Sequence, residues 1–231
     1  MKRRRPKAKS PKLRAEVVTL FPEALESYLK ASILGRAIED GYVKVGTKNP
    51  RDFTDDPGRR VDRKPYGGGP GMVLEALPVA RAIAAAKKGK PKARVIWFSP
   101  SGKTFTNELA REYAAAKDIV LVCGRYEGID ARVKEMFAVE EVSVGPYVLS
   151  GGELPALTVI DAAIRHVPGV LGDDLSVEES RVASADAYTR PAEVKWKGKT
   201  YAVPEILLSG HHAKIDVYRG EKPGGARAKK N

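Results

Sequence analysis

Two short apolar runs in the chain end in glycine-rich turns, and those turns are where chemistry is expected. Ile119–Cys123 (IVLVC) leads into Gly124-Arg-Tyr-Glu-Gly128, and Glu141–Val144 (EVSV) leads into Gly145-Pro-Tyr-Val-Leu-Ser-Gly-Gly152. A third run, Arg94–Ser99 (RVIWFS), meets the glycine turn Ser99-Pro-Ser-Gly-Lys103. Short β-branched runs stopped by glycine read as buried strands that carry their loops to one edge of a sheet. In an open α/β sheet the carboxyl edge is where ligands bind. The first two loops, side by side, read as the floor and wall of a small-molecule pocket. Other chemistries fit poorly. Gly67-Gly-Gly-Pro-Gly71 is not followed by Gly-Lys-Ser/Thr, so it is not a phosphate-binding P-loop. His166, His211 and His212 lack metal-ligand spacing, and a single Cys123 excludes an intramolecular disulfide and a cysteine metal cluster. Inside an apparent strand, that cysteine reads as a core residue.

The elements that must hold these loops follow in order. Ala15–Phe21 reads as a strand, and a helix begins at Pro22 with Leu25, Leu29, Ile33 and Ala37 at helical spacing. Ser32 marks the start of a second helical segment, and Gly41 a C-terminal stop. Tyr42–Thr47 alternates as a strand. Residues 49–71 form a loop far longer than most connectors, expected to be mobile and close to a ligand. Helices are expected over Pro78–Lys88, from a Thr106 cap to Lys117, and through Leu154–Val167, with a last one after Ser209. Alternating strands and helices predict an α/β domain with a mostly parallel sheet.

The 231 residues fit one sizeable domain with a small appendage, and 42% of them are hydrophobic, enough for a core. A formal charge of +12, with basic stretches at both ends, suits a polyanionic partner. No apolar run approaches a membrane span, and the basic start lacks a signal peptide's apolar segment, so a cytosolic (cytoplasmic) protein is expected.

Ten motifs in order resemble the bacterial tRNA (guanine-N1)-methyltransferases of the TrmD type. They are LFPE (20–23), SILGRAIEDG (32–41), NPRDFT (49–54), PYGGGPGMV (65–73), SPSGK (99–103), CGRYEGID (123–130), VGPYVLSGGELP (144–155), PGVLG (168–172), YTRP (188–191) and LLSGHHAKI (207–215). The resemblance covers nearly the whole chain. It implies a SPOUT-type fold: a mostly parallel sheet tied in a deep trefoil knot, with a small helical C-terminal domain. The division it implies is a basic disordered tail at 1–13, a knotted S-adenosylmethionine-binding domain at 14–171, a linker at 172–190, and a C-terminal tRNA-binding domain with a basic tail at 191–231. It further implies a homodimer with a shared active site that methylates N1 of guanosine 37, 3′ of the anticodon in tRNA. No DNA or membrane partner is implied, and the family is associated with Mg²⁺.

Carried over residue by residue, S-adenosylmethionine falls to three loops. They supply Ser99, Pro100 and Gly102; Gly124, Tyr126, Glu127 and Gly128; and Val144, Gly145, Pro146, Tyr147, Val148, Leu149, Gly151 and Gly152. Pro146 stands where relatives often carry an acidic residue, which should stiffen the loop and leave adenine to backbone groups. Glu127 is placed near the cofactor's methionine end. Arg165 is placed at the target guanine, although Asp161 one helical turn earlier offers it a surface ion pair instead. The family's general base is an aspartate before serine; the matching linker here reads Ser176-Val-Glu-Glu-Ser180, which assigns the role to Glu179, with Asp174 and Glu178 as alternatives. Arg51, Arg59, Arg60, Arg63, Arg190, His211 and Lys214 are candidate phosphate contacts. Two rivals stay open. One is an RNA-binding protein that keeps the fold without the activity, and the other is a related knotted enzyme acting on a different base.

Overall fold

The computed structural model describes residues 7–171 and 186–221. The chain divides into two compact units, Met1–Gly172 and Asp173–Asn231. In the first, β1 (Leu13–Val18) is followed by α1 (Glu23–Leu29), α2 (Ser32–Glu39) and β2 (Val43–Lys48). Two short strands, β3 (Asp62–Arg63) and β4 (Val73–Leu74), precede α3 (Ala76–Lys87). Then come β5 (Arg94–Thr104), α4 (Asn107–Ala116), β6 (Asp118–Val122), α5 (Arg132–Met136), β7 (Val139–Ser143) and α6 (Glu153–Ile164). Five strands form one sheet in the order β2-β1-β6-β5-β7, every neighbouring pair parallel. The mostly parallel α/β sheet is the one the sequence predicts.

Side-chain alternation sorts the core into two layers. Along β6 and the residue that follows it, Ile119, Leu121 and Cys123 face one core with Leu34, Tyr113, Ile160 and Ile164, whereas Val120 and Val122 face the other with Val79, Ile83 and Val133. Helices α1, α2, α4 and α6 therefore cover one face, and α3 and α5 the other. Buried on nearly every side, α6 is the helix that fixes the loop before it.

Local chemistry sets the helix ends. Thr106 caps α4, its hydroxyl accepting from Leu109 N–H at 3.3 Å, as the sequence predicts. Gly41 stops α2 at φ +78°: its N–H donates to Ile38 O (3.0 Å) and that of Tyr42 to Ala37 O (2.9 Å), a Schellman motif. The break between α1 and α2 falls at Lys30–Ala31. There the carbonyl of Lys30 lies so close to Gly35 that a β-carbon on Gly35 would stand 2.4 Å from it.

Three expectations are corrected. The long loop is not a loose flap over residues 49–64. Asn49 caps a turn of 3₁₀ helix at Pro50–Asp52, Arg51 donates to Arg59 O (3.0 Å), Thr54 to Arg60 O (3.0 Å), and Val61 is wholly buried. Only its tip at Gly67–Gly69 stands open, and these three glycines and Gly71 all have positive φ. Secondly, Ser99–Lys103 does not end its strand. β5 runs on to Thr104, and both Phe98 and Lys103 pair with Val142 of β7, so residues 99–102 bulge out of a continuing ladder. Thirdly, the second unit is not purely helical. It holds a hairpin, β8 (Glu193–Trp196) with β9 (Lys199–Ala202), before α7 (Glu205–Leu208) and α8 (His212–Glu221).

Candidate active site

Three segments converge at the carboxyl end of β5, β6 and β7. Around them lies a cleft of about 460 Å³, within the usual range for a small-molecule site. The β5 bulge supplies Ser99 and Pro100; the loop after β6 supplies Gly124, Tyr126, Glu127 and Gly128. The loop after β7 supplies Val144, Gly145, Tyr147, Val148, Leu149, Gly151 and Gly152. The backbone geometry explains the glycines. A β-carbon on Gly102 would stand 2.5 Å from Val142 N, and one on Gly152 would stand 2.5 Å from Cys123 Cα. Gly102 thus lets the bulge lie against β7, and Gly152 lets α6 start against the end of β6, its N–H donating to Gly124 O at 3.1 Å. In the GRYEG loop the left-handed positions are Tyr126 (φ +57°) and Gly128 (φ +120°).

The loop after β7 is closed by its own bonds. Tyr147 N–H donates to Gly145 O (2.9 Å) across Pro146, a three-residue turn that proline suits. The Tyr147 hydroxyl donates to Val144 O (3.2 Å), and the Ser143 hydroxyl to Gly145 O (3.0 Å). Backbone groups and rings are thereby held at the cleft wall.

Beneath the cleft sits a charged network that pattern reading did not isolate. Glu153, first residue of α6, is 4% exposed. It accepts from the Thr19 hydroxyl at 2.7 Å and faces the Arg125 guanidinium at 2.9 Å. Arg125 lies 4.5 Å over the Phe21 ring and donates to Ser150 O (3.3 Å). The charge pair is close but out of line, since Glu153 Oε2 and Arg125 Nε find no hydrogen-bond partner. One side chain from each of three chain segments meets here, so the network ties the ends of β1 and β6 to the start of α6. Cys123 lies alongside, its thiol pushed well up by burial and then by the Glu153 charge, with Arg125 opposing.

Glu127 leans against the glycine tip of the long loop: a β-carbon on Gly71 would stand 2.6 Å from its carboxylate. Its N–H donates to Met72 O (3.0 Å), while Leu74 and Ile129 bridge. The long loop therefore borders the cleft. Lys134 stands at another wall, 2.7 Å from Glu141 and 5.0 Å over the Trp97 ring. Asp130 is held below the usual carboxylate range by its hydrogen bonds to Arg132.

Not every expected residue meets in the cleft. Gly102 and Pro146 support the loops without lining it. Arg165 caps the C-terminal end of α6. That helix has 12 residues, so Arg165 lies ~18 Å from its N-terminus at the cleft. Asp161, one helical turn before Arg165, faces the Tyr28 hydroxyl, whose pKa is raised by burial and then by Asp161. Glu179, Asp174 and Glu178 fall outside the described residues. Of the candidate phosphate contacts, Arg59 pairs with Asp52, Arg60 with Asp56 and Arg63 with Glu75, while Arg190, His211 and Lys214 are exposed. Sequence reasoning did not single out Trp97, Phe98, Arg125 and Lys134. Arg125 sat in plain view inside Gly124–Gly128, but its partner Glu153 is distant in sequence. No cluster of three or more His, Cys, Asp or Glu able to hold a metal occurs among the described residues.

A parallel α/β sheet with a glycine-walled cleft at its carboxyl edge defines an enzyme-like small-molecule site on an α/β scaffold. Residues 13–230 match the family model described as tRNA (Guanine-1)-methyltransferase TrmD. The chain belongs to that family. It is 44% identical over 214 residues to a tRNA (guanine-N(1)-)-methyltransferase of Geobacter metallireducens, covering 91% of this chain and 86% of that one. A protein of the same description from Herminiimonas arsenicoxydans is 46% identical over 224 residues (93% and 89% covered). Another from Methylococcus capsulatus is 47% identical over 212 residues (90% and 83%).

Proposed function

We propose that the chain transfers a methyl group from S-adenosylmethionine to N1 of guanosine 37 in tRNA. As a member of the family it is a tRNA (guanine-N1)-methyltransferase. The single observation that carries the donor assignment is the cleft. Three loops meet there, and in its wall Gly145, Gly151 and Gly152 lie so close to neighbouring protein atoms that a β-carbon would not fit. Such a wall offers an adenosine group backbone donors and acceptors at short range, with the rings of Tyr126 and Tyr147 alongside. When bound, S-adenosylmethionine supplies an electrophilic methyl on a sulfonium. Glu127 places a carboxylate in the same cleft, suited to balance that positive charge.

Guanine N1 carries a proton and attacks only as that proton leaves. Glu179 takes it as general base, and the Arg165 guanidinium stabilises the charge growing on O6. Because Arg165 caps the far end of α6, one protomer does not bring it to its own cleft. This supports a homodimer in which a second copy completes the site. The strand order, with β6 between β1 and β5, is compatible with the trefoil knot of the resembling family. The basic exposed residues of 186–221 suit tRNA phosphates.

Single-turnover transfer of labelled methyl to unmodified tRNA tests this assignment. Glu179→Gln and Arg165→Ala should each slow transfer by at least about a hundredfold with S-adenosylmethionine still bound. Mixing inactive Arg165→Ala protomers with inactive Gly152→Ala protomers should restore activity. Wild-type rates in both variants, or a mixture that stays inactive, would count against the roles and the shared site respectively.

A further inference from the structure

We propose that the hairpin β8–β9 is a stacking platform for an unpaired nucleotide of the tRNA. This rests on tRNA being the substrate and adds a contact that neither the cleft nor the linker provides. Every residue from 191 to 202 is exposed. Cross-strand pairs set Val194 opposite Tyr201 and Trp196 opposite Lys199, so these four share a face and Lys195 and Thr200 take the other. On that first face Val194 is 51% exposed, Trp196 66% and Tyr201 48%. A two-stranded hairpin is marginal in water by itself, and large apolar side chains left in solvent on one face mark a contact surface.

The chemistry of the face selects its partner. The Lys197 ammonium stands 5.8 Å from the Trp196 ring centre, and that of Lys199 stands 5.2 Å from Tyr201. Across Glu193–Ala202 three lysines oppose one glutamate. Protein interfaces are depleted in lysine at their cores. Sites for single-stranded nucleic acid instead pair aromatic faces, on which bases stack, with cations that follow the backbone. An unstacked base fits the Trp196 or Tyr201 ring, and its flanking phosphates fit the ammonium groups. The turn fits this arrangement. Lys197 (φ +49°) and Gly198 (φ +77°) are both left-handed, as a tight two-residue hairpin requires. Glycine adopts that conformation freely, but a lysine adopts it at a cost. Lys197 nonetheless occupies it, with its charge beside the Trp196 ring.

The test uses the full chain and an unmodified tRNA transcript. Trp196→Ala with Tyr201→Ala should weaken tRNA binding at least tenfold, raise KM for tRNA, and leave the log–log salt slope and S-adenosylmethionine affinity unchanged. Lys197→Ala with Lys199→Ala should reduce that slope by about one unit per lost phosphate contact. Trp196→Phe with Tyr201→Phe should restore most of the affinity, which a merely folding-related loss would not predict. Affinity within twofold of wild type in the double alanine variant would overturn the proposal. So would loss of self-association in that variant at unchanged tRNA affinity, which makes the face a contact between copies. Wild-type protein that fails to bind tRNA would overturn the substrate assignment itself, and this proposal with it.

Discussion

The residue with the most at stake beneath the cleft is Glu153. Its carboxylate is nearly solvent-free, and it answers both the Thr19 hydroxyl and the Arg125 guanidinium. Removing one member of a buried pair strands the other, at about 3–5 kcal/mol when both are fully buried. Arg125 reaches solvent, so Glu153→Ala should destabilise by about 2–3 kcal/mol. Glu153→Gln, which keeps an acceptor for Thr19, should lose less. Urea denaturation of the two variants measures this, and equal losses would show that the charge is irrelevant. Cys123 gives a second prediction at this scale. Its thiol pKa is raised in the folded protein, so the stability it protects is complete below the ordinary thiol value of about 8.5. Above that pH the unfolded chain loses the proton first and folding weakens. Tyr113, pushed up by burial and by Glu140, adds the same sign at still higher pH. The melting temperature should therefore fall between pH 8 and 10, and fall less in Cys123→Ala. An identical fall in that variant would remove the thiol from the account.

At the scale of elements, two glycines hold the cleft in shape, and each faces backbone that cannot step aside. Gly102→Ala and Gly152→Ala should each cost about 1–3 kcal/mol through overpacking and weaken S-adenosylmethionine binding sharply. Calorimetric titration would settle it; cofactor affinity within a factor of two of wild type would mean that the loops tolerate the shift. The sequence made most elements legible because strand alternation and helix spacing are local signals. IVLVC, the Thr106 cap and the Gly41 stop all depend on neighbours a few residues away. The β5 bulge does not. Ser99-Pro-Ser-Gly reads locally as a turn, and only pairing with Val142, some forty residues on, reveals a continuing strand. The Arg125–Glu153 pair was hidden for the same reason, and α5 was too short for periodicity to find. The hairpin β8–β9 carried a signal, Lys197-Gly198 between alternating runs, that the helical expectation for this unit obscured.

For the whole molecule, fold and chemistry divide between what one chain contains and what it lacks. The chain assembles the three-loop cleft by itself, yet Arg165 sits ~18 Å from it along α6, and a net charge of +12 leaves the surface ready for a polyanion. No helix among the described residues is long and apolar enough to cross a membrane. Fold-level likeness does not choose a base or an atom; the site must. The measurement closest to the central claim is therefore to map the modified nucleotide. Purified protein is incubated with S-adenosylmethionine and an unmodified tRNA transcript carrying guanosine at positions 36 and 37, and the digested RNA is sequenced by mass. The account predicts a single added methyl on N1 of guanosine 37, absent when that position is adenosine. A methyl on another nucleotide or another atom, or none at all from protein that binds both substrates, would contradict it.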